Sequence, residues 1–343
     1  MRDPAFPQLL SVVERRYEAT DIVSLRLAPE GGGALAAAIP GQAISLRLAD
    51  TKQPRPCTYS LSRSPSAPTY RISIKRPKPS AAFSCGMLGH DGWTIGTRLE
   101  ASLPFGNLTL GDPPPPIVAL IAAGIGITPF MSILHDLAER ATPTGRVILR
   151  YMVRDEAAHP FRLELAAIRP RLPGLDVRTW YSRSTTGRLT REGLLGSLPN
   201  SSALDAVLLC GPPGFVADAR AWVMGAGVPE ARIRDEAFGG NPKFPGAFDP
   251  TPTRQIRPPL VTFARSGVVA PWDEKGGPTT ILELGEEQGL RLPSRCRSGM
   301  CGACAVPLVV GTVTYPSAPQ CRPKSGEILT CCSTPTSDLT IDV

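Results

Sequence analysis

Three cysteines crowd one short run, Cys296-Arg-Ser-Gly-Met-Cys301-Gly-Ala-Cys304, with the spacing C-x4-C-x2-C. Another, Cys331, follows after 26 intervening residues. Thiolates at this spacing suit a [2Fe–2S] cluster, which takes four sulfur ligands, two on each iron. The three clustered cysteines must then wrap it as one tight loop. Gly299, Gly302 and Ala303 permit that, because small residues let backbone N–H groups approach the sulfides. Those N–H groups offset the negative charge and tune the potential. A structural zinc site also takes four cysteines, but usually as two separated pairs. Three in one loop favour iron–sulfur. A disulfide framework is disfavoured, since nothing points to secretion.

The stretch Gly326-Glu-Ile-Leu-Thr-Cys331 resembles the last strand of plant-type ferredoxins, where the ligand directly follows Leu-Thr. That resemblance selects Cys331 over Cys332. Alternation along a strand predicts that Cys332 faces the other way.

A second stretch is built for phosphate. Ile117–Ala122 reads as a buried parallel strand, Ala123-Gly124-Ile-Gly126-Ile-Thr128-Pro129 as a glycine turn, and Phe130–Arg140 as a helix with apolar residues at 130, 133, 134 and 137. Glycine lets a backbone approach a pyrophosphate, and a helix N-terminus favours its charge. A lone G-x-G is a weak signal, but here it follows a strand and opens a helix. The apolar run from Ile117 to Leu134 has about the length of a membrane span. Gly124, Gly126, Thr128 and Pro129 interrupt it, and no membrane span is expected.

Other motifs join these. The turn resembles the G-x-G-x-T-P of the ferredoxin–NADP reductase superfamily, where Gly124, Gly126, Thr128 and Pro129 serve the nicotinamide cofactor. Cys210-Gly211-Pro-Pro-Gly214-Phe215, after the strand Ala206–Cys210, resembles that family's C-G-P-x-G-F under the nicotinamide. Glu236-Ala-Phe238 resembles its E-x-F, near the flavin and nicotinamide rings. Arg55-Pro-Cys-Thr58-Tyr59-Ser60 resembles its flavin strand, R-x-Y-[ST], in which Tyr lies against the isoalloxazine and Ser sits near N5. Cys57 stands where the family has its phosphate-holding Arg, and Arg55, on the same strand face, replaces it. Lys75 through Ser84 to Leu88 resembles the second phosphate element and favours FAD, with FMN the other flavin the family uses. The resemblance thus implies Ser60, Cys210 and Glu236 at the reacting rings. It implies cofactor contacts from Arg55, Thr58, Tyr59, Lys75, Ser84, Gly211 and Phe238.

Elements that position these residues are legible in order. Val23, Leu25 and Leu27, then Ile44, Leu46 and Leu48, then Tyr70, Ile72 and Ile74 alternate with polar residues, implying an antiparallel sandwich or barrel. Strands at 146–152, 176–181 and 206–210 alternate with helical segments at 161–169, 190–195 and 214–224, implying a doubly wound parallel α/β sheet. The expected organisation is multidomain. An antiparallel β-barrel flavin domain covers residues 1–111 and an α/β nicotinamide domain 112–240. A Pro-rich linker covers 241–259, and an α+β β-grasp ferredoxin domain covers 260–343.

Composition agrees with a soluble globular chain: 42% hydrophobic and 20% charged residues. A net charge of +7 without a Lys/Arg run excludes a nucleic-acid binder and suits an acidic protein partner. Cysteine-rich and without an apolar leader, the chain is expected in a reducing cytoplasm.

The combination has a chemical logic. NADH or NADPH gives two electrons together, whereas a [2Fe–2S] cluster takes one, and a flavin exchanges both ways. The expected function is an NAD(P)H-dependent electron-transfer reductase passing electrons through flavin and cluster to a partner such as an oxygenase component. The alternatives are a stand-alone NAD(P)H:acceptor oxidoreductase or oxidase, and a zinc-stabilised binding module. Trp180-Tyr-Ser182-Arg183 and Arg188 either accept a 2′-phosphate or are exposed loop charges.

Overall fold

The computed structural model describes residues 5–49, 56–64, 66–76, 91–140, 145–184, 187–238, 258–273, 280–316, 319–324 and 326–343. Arg55, Ser84, most of the second phosphate element and most of the linker lie outside the described residues. The chain divides into two compact units, Met1–Gly240 and Asn241–Val343.

The first unit begins with six antiparallel strands: β1 (Gln8–Ala19), β2 (Ile22–Pro29), β3 (Ala43–Leu48), β4 (Cys57–Ser60), β5 (Tyr70–Lys75) and β6 (Arg98–Ala101). Their order is β4-β3-β6-β1-β2-β5. A bridge between Leu61 and Ile72 brings the two end strands together, so the sheet closes as a barrel. The alternating residues Val23, Leu25, Leu27, Ile44, Leu46, Ile72 and Ile74 point into one core. The polar side of β2 and β5 is not simply solvated. Ser24 and Ser73 are buried and hydrogen-bonded at 2.7 Å, and Ser62 joins them at 2.9 Å.

Five parallel strands follow: β7 (Ile117–Ala123), β8 (Arg146–Val153), β9 (Leu175–Tyr181), β10 (Ala206–Gly211) and β11 (Ile233–Ala237). Four α-helices accompany them: α1 (Thr128–Glu139), α2 (Arg162–Ile168), α3 (Arg191–Leu195) and α4 (Pro213–Gly225). The order is β11-β10-β7-β8-β9. Along β7, Val118, Leu120 and Ala122 face one core while Ala119 and Ile121 face the other. Burial on both faces explains an uninterrupted apolar strand. Strand order reverses between β7 and β10, the switch point at which such sheets bind ligands beyond the strand ends.

Side chains join barrel and parallel sheet within this unit. Arg71 on β5 donates from Nη1 to Glu164 Oε2 at 2.8 Å and from Nη2 to Oε1 at 2.7 Å, Glu164 lying on α2. His135 on α1 is hydrogen-bonded to the same carboxylate. Burial alone would raise the Glu164 pKa, but the hydrogen bonds from His135 and Arg71 outweigh it and bring it down to about 2. A carboxyl depressed from 4.5 to about 2 stabilises the fold above its unfolded pKa, and that stability is lost as pH falls from about 4.5 toward 2. The shift is worth at most about 3 kcal/mol. Urea titrations between pH 6 and about 3 should therefore show an acid limb that E164Q flattens. An unchanged limb in E164Q would remove Glu164 as its source.

The second unit contains β12 (Leu260–Phe263), β13 (Val268–Pro271), α5 (Ile281–Glu287), β14 (Ala305–Val310), β15 (Val313–Thr314), β16 (Glu327–Leu329), β17 (Thr334–Pro335) and β18 (Leu339–Ile341). Five strands form a mixed sheet in the order β13-β12-β18-β14-β16, with β12 parallel to β18. Helix α5 is capped by Thr280, whose hydroxyl accepts from Glu283 N, and it buries Ile281 and Leu284 in the unit's core. This is the expected α+β arrangement.

Candidate functional site

The cysteine loop packs four thiols together. Cys296, Cys304 and Cys331 are buried, and Cys301 is half-buried. Cys304 Sγ lies 3.1 Å from Cys331 Sγ, and the Cys296 sulfur is within hydrogen-bond reach of Cys301 and Cys331. Thiols this close cannot all ionise by themselves. Hydrogen bonds from Cys301 and Cys331 push the Cys296 thiol down, while donation to Cys296 holds the Cys301 and Cys331 thiols up. Cationic iron would relieve that conflict, because metal binding takes up thiolates and releases protons. Among the described residues, no three His, Cys, Asp or Glu groups converge as a site for a single metal ion. The Cys304–Cys331 contact and the Cys296 sulfur, which reaches both Cys301 and Cys331, gather the four sulfurs into one set.

Two glycines make the loop possible. Gly299 and Gly302 both have φ +72°, and added Cβ atoms would lie 2.9 Å from Cys332 Sγ and 2.7 Å from Cys321 Sγ. Contrary to alternation along a strand, Cys332 does not face away. Its side chain hydrogen-bonds with that of Cys331 and packs on the cluster-side core. The reason is that β16 ends at Leu329, so Thr330–Cys332 form a turn to which strand alternation does not apply.

In the first unit the glycine turn runs from β7 through a 3-10 turn, Gly124–Ile127, straight into α1. Gly126 lies against the end of β10, where an added Cβ would be 2.3 Å from Cys210 O and 2.7 Å from Gly211 N. Only glycine permits so close an approach of the turn to β10. Gly124 has φ +56°, and Tyr151 on β8 donates to its carbonyl at 2.8 Å. Thr128 is buried and donates to Ile125 O at 2.9 Å, so its proton holds the turn. Pro129 occupies the first helical turn, where its missing N–H costs nothing.

The parallel register sets Cys210 beside Glu236. Both are buried, and burial first, then the Glu236 and Asp235 charges, pushes the Cys210 thiol up. Cys210 is thus a neutral thiol. Phe238 N donates to Gly211 O at 2.8 Å, which fixes the end of β11 against the Cys210–Gly211 turn.

On the barrel, Ser60 ends β4, and its buried hydroxyl has no hydrogen-bond partner among the described residues. A buried hydroxyl left so is costly unless a ligand completes it, which fits a flavin at this strand. Tyr59 packs edge-on against Trp93 at 5.7 Å, and burial pushes its phenol up. Thr58 shares a hydrogen bond with Ser45 at 2.9 Å. The exposed Lys75 at the end of β5 reaches the glycine turn, its Nζ 4.0 Å from where a Gly124 Cβ would stand, and lies 3.8 Å from Asp21. Tyr151, Trp93, Arg71 and Glu164 were not singled out by the sequence. Only Tyr151, a hydroxyl within an apolar strand, carried a signal.

Comparison with known proteins agrees with this geometry. The model of the oxidoreductase NAD-binding domain matches residues 120–221, and that of the 2Fe-2S iron-sulfur cluster binding domain matches residues 271–336. An NADPH oxidoreductase of Mycobacterium tuberculosis is 31% identical over 332 residues, covering 96% of this chain and 82% of that protein. The chain belongs to the ferredoxin–NADP reductase superfamily. Its order of folded units is shared with phthalate dioxygenase reductase. That solved structure superposes with a TM-score of 0.68 at 24% identity, covering 98% of this chain and 97% of the other, and shows the shared fold. The stachydrine N-demethylase reductase subunit of Rhizobium meliloti is 28% identical, covering 97% of this chain and 96% of that protein. Flavohemoproteins match in part, and the chain spans about three-fifths of their length. As a superfamily member the chain is an NAD(P)H-dependent flavin iron–sulfur oxidoreductase. Among the described residues, no helix is long and apolar enough to cross a membrane.

Proposed function

We propose that the nicotinamide is held at the crevice between β7 and β10 by Gly124, Gly126, Pro129, Cys210, Gly211, Glu236 and Phe238. Tyr59, Ser60 and Lys75 are the described residues that hold the flavin, and Thr58 orients their strand through Ser45. A flavin in this position accepts hydride and releases single electrons. The protein's contribution is positioning rather than acid–base catalysis. Ser60 carries the reading, because its hydroxyl is buried and has no hydrogen-bond partner among the described residues. Cys210 is kept neutral by burial, so beside a bound nicotinamide it would offer a polarisable, uncharged surface.

Cys296, Cys301, Cys304 and Cys331 are proposed to hold the cluster. The recipient is a separate redox protein, most simply the terminal component of an oxygenase or demethylase. That partner class is supported by the names of the phthalate dioxygenase and stachydrine demethylase reductases. The name of the mycobacterial relative favours a second reading, turnover on small acceptors without a dedicated partner.

Replacing Ser60 by Ala should slow flavin reduction by NAD(P)H about 100-fold, the usual scale for losing one donor aimed at the reacting centre. Nucleotide affinity should stay within about twofold, since the group acts in the transition state. Stopped-flow absorbance measures both, and a wild-type rate in S60A would remove Ser60 from the site. Turnover that rises on adding a purified oxygenase component supports the partner reading. Turnover on oxygen or dyes that no protein improves supports the second.

A further inference from the structure

We infer that Arg71, Glu164 and His135 form a clamp that sets how the flavin strand meets the nicotinamide turn, and so act as positioning residues for hydride transfer. This rests on the proposed passage of hydride between a nicotinamide at β7–β10 and a flavin at β4.

Arg71 is built in from both sides. It is 6% exposed, and four of its hydrogen bonds are made by a fixed fork. Two run to Glu164, as given above. The other two go to Ser62: Nε donates to the hydroxyl at 3.1 Å, and Nη2 donates to the carbonyl. Ser62 lies only two residues beyond Ser60. The same guanidinium therefore grips the end of the flavin strand and a helix of the nicotinamide domain. A planar, bidentate arginine fixes direction as well as distance, which a lysine cannot do.

The partner side is equally prepared. Phe161, just before α2, has φ 60°, a left-handed conformation that is strained for a bulky residue. That conformation accompanies a ring placed under the guanidinium, 5.0 Å from the Arg71 Cζ. His135 hydrogen-bonds the shared carboxylate from α1, the helix that the glycine turn opens. One turn further along α1, Glu139 accepts from Ser64 at 2.5 Å and from Ser66 at 2.7 Å, both on the barrel loop after β4. The far end of α1 is thereby tied to the segment that leaves the flavin strand. Its near end is the turn built on Gly124 and Gly126.

Rotation of the barrel against α1 would shift the strand of Ser60 relative to this turn. A shift of about 1 Å at a reacting centre can cost 100-fold in rate. The clamp uses no atom of either reactant. Its loss should thus slow the hydride step without loosening either cofactor.

The test compares wild type, R71K, R71M and E164Q as full-length holoprotein, each normalised to bound flavin. Anaerobic stopped-flow mixing with NADH and with NADPH gives the limiting flavin-reduction rate and the nucleotide dissociation constant. Photoreduction without nucleotide gives the flavin-to-cluster step separately. Hydrogen exchange at the Leu165 amide, which donates to Phe161 O, reports clamp opening independently of activity. The expected result is a limiting rate at least about 10-fold lower in R71M and E164Q, with R71K between them and wild type. Nucleotide affinity and the flavin-to-cluster rate should be unchanged, and exchange at Leu165 faster. The inference is overturned if wild type is reduced by nucleotide and both variants keep its rate per bound flavin. It is equally overturned if rate is lost only in proportion to flavin or nucleotide binding. If neither nucleotide reduces wild type, the proposed function fails first and the clamp with it.

Discussion

Replacing Cys331 by Ser should empty the cluster site while leaving flavin chemistry in place. The Cys331 sulfur is 3.1 Å from Cys304 and also within reach of Cys296, so its loss opens the thiol set at its centre. Changing a residue that merely orients a metal ligand already costs about 10–100-fold in affinity, and loss of a ligand should exceed that. Iron and sulfide in C331S should fall to background, and the cluster's absorbance and EPR signal should vanish. NAD(P)H should still reduce the flavin within about twofold of wild type, because the hydride step uses a different site. Delivery to a one-electron protein acceptor should drop by about 100-fold or more. C332S is the informative control. Its side chain touches the same core, but it is not a proposed ligand, so it should keep iron and sulfide. A cluster retained in C331S and lost in C332S would reverse the ligand assignment.

Gly126 is the position at which the smallest substitution should do the most damage. An added methyl would sit 2.3 Å from Cys210 O and 2.5 Å from the carbonyl carbon, and both are backbone atoms that cannot rotate away. The turn must lift off β10, or the two strand ends must part. Overpacking of this kind costs about 1–3 kcal/mol and occasionally more. Either response would also disturb the turn proposed to hold the nucleotide. In G126A the affinity for NADH and NADPH should fall about 100-fold, equivalent to about 2.7 kcal/mol. Bound flavin and cluster should remain near wild type, because β4 and the cysteine loop are untouched. Calorimetry and nucleotide titration would settle it. Wild-type affinity with wild-type Tm in G126A would mean that this turn does not approach β10 as closely as the structure shows.

Much of this arrangement was legible in the chain because short-range rules decide it. An apolar run broken by Gly124, Gly126 and Pro129 has few ways to be anything but strand, turn and helix. The observed β7 and α1 differ from the expected limits by only one or two residues. The cysteine loop was legible because metal ligation fixes spacing. Ser60, Cys210 and Glu236 were legible only through family resemblance, since nothing local distinguishes a buried serine that awaits a ligand from one that caps a turn. Only the fold shows that the Ser60 hydroxyl has no partner among the described residues and that Cys210 and Glu236 share a register.

What the sequence hid is long-range. Arg71 and Glu164 are 93 residues apart, and each reads alone as a solvated charge. His135 looks like the polar side of an amphipathic helix until α2 is placed against it. Cys332 departs from expectation for the opposite reason. Strand alternation is a local rule, and it does not reach past the end of β16 at Leu329. Such contacts join the barrel and the parallel sheet within the compact unit Met1–Gly240.

The most direct measurement is anaerobic mixing of the full-length holoprotein with NADH or NADPH while flavin and cluster absorbances are followed together. Flavin bleaching should come first, with cluster bleaching after it, and in C331S the first phase should survive without the second. Cluster reduction that precedes the flavin's, or no reduction of either centre by either nucleotide, would contradict an electron path from the glycine turn through Ser60's strand to the cysteine loop.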